Sequence, residues 1–202
     1  MATDPTELDP DPLRQLGAWL SAAESAGLPL HDAFALATAD AEGAPSVRMV
    51  LLRGGDGPEG LCFYTNRGSR KGRDLAANPR AAAVFHWAAL GRQVRVAGRV
   101  SALTDAESAS YWASRPRGSQ LSAWASAQGE EVSSRDVLEA LVAELAAQWP
   151  EGVDIPLPPF WGGYRLLPRV FEFWEGRPDR LHDRVEYLPD GRGGWLRRRL
   201  QP

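Results

Sequence analysis

Gln93-Val-Arg-Val-Ala-Gly-Arg-Val-Ser-Ala102 alternates apolar and polar side chains. Val94, Val96 and Val100 fall on one side of an extended chain, and Gln93, Arg95 and Arg99 on the other. A period of two is the mark of a half-buried strand, and the chain carries the same signal on both sides of this segment. Upstream, strands are expected at Ala33–Ala39, Ser46–Arg53, Leu61–Asn66 and Ala81–Ala88. Downstream they are expected at Gly163–Leu167, Phe171–Trp174, Leu181–Tyr187 and Gly194–Arg199. The helices are fewer. Asp11 caps a run that starts at Pro12 and stops at Gly27, Ser69 caps a short one, and Thr104 with Glu107 forms a capping box for a helix ending at Arg115-Pro116. Ser133–Trp149 has the clearest amphipathic stripe, through Val137, Leu138, Leu141, Val142 and Leu145. Many short strands with helices at the periphery give an α+β class, mainly β, and a barrel architecture.

Composition narrows the function. With 202 residues, 44% of them apolar and 24% charged, the chain can bury a core. Residues 1–11 are expected to form a flexible acidic leader and 12–202 a single domain. A net charge of −3 argues against a nucleic-acid binder. Neither a signal sequence nor a run of ~20 apolar residues is present, so a cytoplasmic protein without membrane contact is expected. Cys62 is the only cysteine, which leaves no internal disulfide and no cysteine zinc site. His31, His86 and His182 are too scattered for a metal. His86, in an apolar run, reads as interior, and Trp19 and Trp149 read as core.

Several segments carry cations where folding alone does not require them. Gly55-Asp-Gly-Pro-Glu-Gly60 satisfies a dinucleotide-binding pattern, but a strand follows it, so it reads as a hairpin turn. In Gly68-Ser-Arg-Lys-Gly72, Arg70 and Lys71 occupy the first turn of a helix, where the dipole disfavours them; they form either a phosphate grip or a solvated basic turn. Tyr111 and Arg115 share a helix face, with Arg117 and Ser119 in the turn beyond Pro116, which makes a second phosphate grip or a surface pair. In Phe171–Arg184, strand spacing would aim Arg180, His182 and Arg184 the same way, toward solvent or an electron-rich ligand. Gln93 and Arg95 could donate to a ring carbonyl or simply face water.

Taken together, RMVLLR, FYTNRGSRKG, GRQVRVAG, SRPRGSQLSAWAS, PFWGGYR and FEFWEGRPDRLHDR resemble, in order, the pyridoxine (pyridoxamine) 5′-phosphate oxidase family, from about Ala33 to Pro202. The resemblance implies an FMN-binding split β-barrel that forms a homodimer with flavin sites at the interface. It assigns Arg48, Met49, Val50, Leu51, Tyr64, Thr65, Arg70 and Lys71 to FMN, with Gln93, Gln128, Trp174 and Arg184 as further flavin contacts, some from the partner subunit. It assigns Arg53, Tyr111, Arg115 and Ser119 to the substrate phosphate. Arg180 and His182 are assigned to the substrate ring, as the catalytic pair. The implied reaction passes a hydride from C4′ of pyridoxamine or pyridoxine 5′-phosphate to the flavin, with O2 as final acceptor and H2O2 as product.

This chain departs from the family at three places. Arg53 stands where a lysine is usual, Gly129 where a serine often contacts FMN, and MATDPTELDPDP lacks the usual Arg and Tyr that close over the substrate. Two alternatives follow from the same residues. One is a related flavin oxidase of secondary metabolism, of the phenazine-biosynthesis type; the other is a non-catalytic flavin- or vitamin-binding barrel.

Overall fold

A computed structural model describes residues 7–54 and 60–202. The sheet is antiparallel throughout and runs β2-β1-β4-β5-β6-β7-β8, with β3 pairing β6 off that path. Its strands are β1 (Ala33–Ala39), β2 (Pro45–Leu51), β3 (Leu61–Asn66), β4 (Arg80–Trp87), β5 (Arg92–Ala102), β6 (Trp161–Glu175), β7 (Asp183–Pro189) and β8 (Trp195–Arg199). No ladder joins β2 to β3 among the described residues, so the barrel is split rather than closed. Among the described residues five helices surround it: α1 (Pro12–Ser25), α2 (Arg70–Ala77), α3 (Asp105–Ser114), α4 (Arg117–Ala125) and α5 (Arg135–Gln148).

The alternation in β5 does what its period dictates: Val94, Val96 and Val100 are buried while Arg95 and Arg99 face out. They join Phe34, Phe63, Phe85, Phe171, Phe173 and Tyr187 in the main core, which α1 covers with Leu16 and Trp19. A second cluster of Trp112, Leu121, Ile155 and Trp161 lies under α3 and α4 and seats the inner edge of α5. Asp11 caps α1, Ser69 caps α2, and Thr104 with Glu107 closes the capping box of α3, each as expected from sequence.

The structure differs from the sequence reading in six respects. The two strands expected at 163–167 and 171–174 are one continuous strand, β6. Pro168 does not interrupt it because it lies opposite Gly98, where the β5 register shifts and no ladder bond is required. Arg117 and Ser119 lie in a new helix, α4, not in a turn. Pro116 keeps Arg115 extended (ψ 142°), while its own φ of −55° suits a helix start. Arg180 and His182 precede β7, so they share no strand face with Arg184; Pro178–Arg180 is a tight turn with φ of 56° and 61° at Asp179 and Arg180. His86 is exposed, because β4 points its odd-numbered side chains inward.

The α5 stripe meets the second cluster through Val142 and Leu145, whereas Val137, Leu138 and Leu141 are exposed, and Trp149 is only half-buried. Finally, the part of the acidic leader that is described is packed: Leu8 is buried, the Tyr187 hydroxyl donates to the Asp9 carbonyl at 2.9 Å, and Arg197 donates to the Leu8 carbonyl at 2.6 Å. The hairpin expected at 55–60 falls mostly on residues outside those described. No helix among the described residues is long and apolar enough to cross a membrane.

Candidate active site

A cleft of about 790 Å³ opens between β2, the α2 N-terminus and the α3–α4 corner. Its floor is the stretch Arg48, Met49, Val50 and Leu51, and its walls bring together Arg53, Tyr64, Thr65, Arg70, Lys71, Tyr111, Arg115, Ser119 and Gln128. Five of the lining side chains are cationic and none is a carboxylate. A concentration of like charge costs free energy unless an anion relieves it, so the lining selects for an anionic ligand.

At one end, the N-cap Ser69 and the first residues of helix α2, Arg70 and Lys71, line the cleft. Lys71 is buried there and donates to Thr65 Oγ1 at 3.0 Å, Ser69 Oγ at 3.2 Å and Gln128 Oε1 at 3.0 Å. Burial, together with the neighbouring Arg48 charge, pushes its pKa down to about 8. Arg48 donates to Thr38 Oγ1 at 2.7 Å, to Ser46 Oγ at 2.7 Å and to the Leu36 carbonyl at 3.1 Å, which fixes its guanidinium beneath α2. Burial depresses the Arg48 pKa, and the buried Asp74, 3.8 Å away, opposes that shift. Three cations against one carboxylate leave an excess that a phosphate dianion matches.

At the other end, Arg115 is packed over Trp161, its guanidinium carbon 4.9 Å from the ring centroid. Tyr64, Tyr111 and Trp161 stack on one another, with centroid distances of 4.0 Å (Tyr64–Tyr111), 5.4 Å (Tyr64–Trp161) and 6.1 Å (Tyr111–Trp161), so the Tyr111 hydroxyl is carried on an aromatic support. Arg115 Nη2 donates to the Ser119 carbonyl at 2.9 Å, but its Nε is buried without a hydrogen-bond partner. A buried donor left unpaired costs about 1–3 kcal/mol. Burial lowers the Arg115 pKa and Tyr111 opposes the shift; an arginine stays charged regardless.

The remaining sequence candidates lie elsewhere. Gln93 and Trp174 are cross-strand partners on β5 and β6, and Trp174 also pairs with Arg184 on β7. His182 packs on Trp174 at 4.6 Å, and its Nδ1 accepts from the Arg177 backbone N–H at 3.1 Å. Arg180 is exposed on the preceding turn. None of these five lines the cleft of its own chain.

Sequence reasoning missed the carboxylates that orient the cations. Asp74 accepts from Thr38 Oγ1 at 2.6 Å, Glu172 joins Arg95 and Arg184 at 2.9 and 2.8 Å, and Asp32 pairs with Arg53. Only Asp74 carried a local signal, one helical turn beyond Arg70 and Lys71; the partners of the others are distant in sequence.

Comparison with known proteins shows likeness in family and fold. Residues 20–149 match the family described as pyridoxamine 5′-phosphate oxidase, and residues 161–202 match the pyridoxine 5′-phosphate oxidase C-terminal dimerisation region. A pyridoxine/pyridoxamine 5′-phosphate oxidase of Cupriavidus taiwanensis is 52% identical over 100% of this chain and 93% of its own length. One from Rubrobacter xylanophilus is 54% identical over 96% and 88%. Among solved structures, PhzG from Burkholderia lata 383, in complex with tetrahydrophenazine-1-carboxylic acid, has a TM-score of 0.91 at 34% identity, covering 100% of this chain and 98% of its own. A pyridoxamine 5′-phosphate oxidase-related, FMN-binding protein of Nostoc punctiforme shares the fold, with a TM-score of 0.76 at 18% identity over 96% and 100%.

Proposed function

The chain belongs to the pyridoxamine 5′-phosphate oxidase family, and from that premise we propose that it is an FMN-dependent oxidase converting pyridoxamine or pyridoxine 5′-phosphate to pyridoxal 5′-phosphate. The observation that carries this reading is the single cleft with two separate anion grips, Arg48–Arg70–Lys71 at one end and Arg53–Tyr111–Arg115–Ser119 at the other. A cofactor and a substrate that each end in a phosphate need two such grips. The residues present fit FMN: the α2 N-terminus, Lys71, Arg70 and Arg48 would hold its phosphate, and Tyr64, Thr65 and Gln128 would border its chain. Bound there, FMN supplies the two-electron acceptor, with O2 as the final oxidant.

The protein's own part is binding and orientation. Arg115 and Tyr111 hold the substrate phosphate, Ser119 adds a donor, and the aromatic stack beneath them excludes water. Arg180, His182, Trp174, Gln93 and Arg184 do not line this cleft, so we assign them to the cleft of a second copy in a homodimer, in keeping with the dimerisation region matched at 161–202. A neutral imidazole whose Nδ1 accepts from Arg177 carries its proton on Nε2. His182 would therefore meet the C4′ substituent as a donor, while Arg180 fixes the pyridine ring.

A phenazine-type substrate is the second reading, favoured by the likeness to PhzG. The cations at the second end of the cleft, Arg53 and Arg115, favour the phosphorylated substrate instead. Anaerobic addition of pyridoxamine 5′-phosphate to the FMN-loaded protein separates the two. Bleaching of the flavin band is expected, and a band that persists would refute the vitamin assignment.

A further inference from the structure

We propose that Asp32 is a positioning residue that sets the Arg53 guanidinium for the substrate phosphate; this rests on the functional reading above. Arg53 lies beyond the end of β2, which stops at Leu51, so no strand ladder fixes its side chain. Asp32, just before β1, holds this segment twice. Its carbonyl accepts from the Leu52 N–H at 2.9 Å, and its carboxylate accepts from Arg53 Nη1. The Arg53 backbone N–H is anchored in turn on the Cys62 carbonyl at 2.8 Å, and Nη1 also reaches the Leu52 carbonyl at 2.7 Å.

Tyr111 lines the same cleft as Arg53 and Arg115 and interacts favourably with both. Arg53, Tyr111, Arg115 and Ser119 thus belong to the lining of one cleft, with Arg53 the member held from outside it by Asp32. An arginine at this position has more rotamer freedom to lose than the substrate can restore with one contact. Orientation before binding removes that cost, the usual origin of gain from preorganisation.

Asp32 also brings a negative charge near an anion site. The pair is partly exposed, with 31% of the Arg53 side chain and 26% of the Asp32 side chain accessible, so solvent screens the repulsion while the geometric constraint persists. Orientation therefore outweighs repulsion.

The test uses FMN-loaded protein and the binding of pyridoxal 5′-phosphate, with pyridoxal, which lacks the phosphate, as the control. Asp32→Asn keeps the side-chain shape and the backbone bond to Leu52. It is expected to weaken pyridoxal 5′-phosphate binding about two- to fivefold, the range a partly exposed ion pair carries, and to leave pyridoxal binding unchanged. In an Arg53→Ala background the same substitution should add nothing, because its effect passes through Arg53. Tighter or unchanged binding in Asp32→Asn, equal weakening for both ligands, or full additivity with Arg53→Ala would overturn the assignment. The readout is independent of turnover: protein that binds pyridoxal 5′-phosphate as described but whose flavin is not bleached by pyridoxamine 5′-phosphate would refute the oxidase reading and leave the role of Asp32 standing.

Discussion

If Lys71 grips the FMN phosphate, cofactor affinity has to fall in alkali, and the fall can be sized. Burial and the Arg48 charge hold the lysine at about 8 in the free cleft. A phosphate dianion beside it favours the charged form, so its pKa rises on binding. FMN therefore binds the protonated protein more tightly. Affinity is constant well below pH 8 and declines above it, until pH passes the raised pKa of the complex. Roughly nine-tenths of Lys71 is protonated at pH 7 and about one-tenth at pH 9, so the dissociation constant should rise about tenfold across that interval. The assay is titration of apoprotein with FMN, followed by quenching of flavin fluorescence, with riboflavin as the control that lacks the phosphate. Lys71→Met should bind FMN weakly and with no pH dependence in this range. A flat profile for the wild type, or the same slope retained in Lys71→Met, would refute the placement of the ammonium on the phosphate.

Arg115→Ala should raise KM for the phosphorylated substrate about 10- to 100-fold while FMN stays bound, since it removes a charged hydrogen bond; steady-state kinetics and the flavin-to-protein absorbance ratio check both halves. Glu172→Gln leaves Arg95 and Arg184 without their shared carboxylate and should cost about 1.5–3 kcal/mol in urea unfolding. If Arg184 completes a neighbouring copy's flavin site, the same variant should also lose FMN on dialysis. Gly98→Ala would drive a Cβ into the Leu167 carbonyl at the register shift; overpacking there should lower stability by about 1–3 kcal/mol, seen as a shifted urea midpoint.

How much of this could be read without the fold varies from residue to residue. The caps at Asp11, Ser69 and Thr104 and the β5 alternation were legible because each is a contact within a few residues, set by local backbone chemistry. The basic first turn of α2 was legible as an electrostatic conflict for the same reason, and the resemblance supplied what it would hold. His86 misled because its neighbours are apolar, yet which face of a strand turns inward depends on what packs above and below it. Arg180 and His182 were assigned to a strand on spacing alone, whereas the turn at Pro178–Arg180 displaced them.

Chain order by itself determined most of the helix and strand segments, α4 and the continuity of β6 excepted, and which cations lacked a structural excuse, because propensity, capping and charge placement act over a few residues. Tertiary structure alone decided that β2, α2 and the α3–α4 corner enclose one cleft, and that Asp32 and Asp74 pair with its arginines while Glu172 pairs with Arg95 and Arg184 outside it. Those pairings span distances along the chain that only the ladder order and the packing of the sheet bring within hydrogen-bond reach.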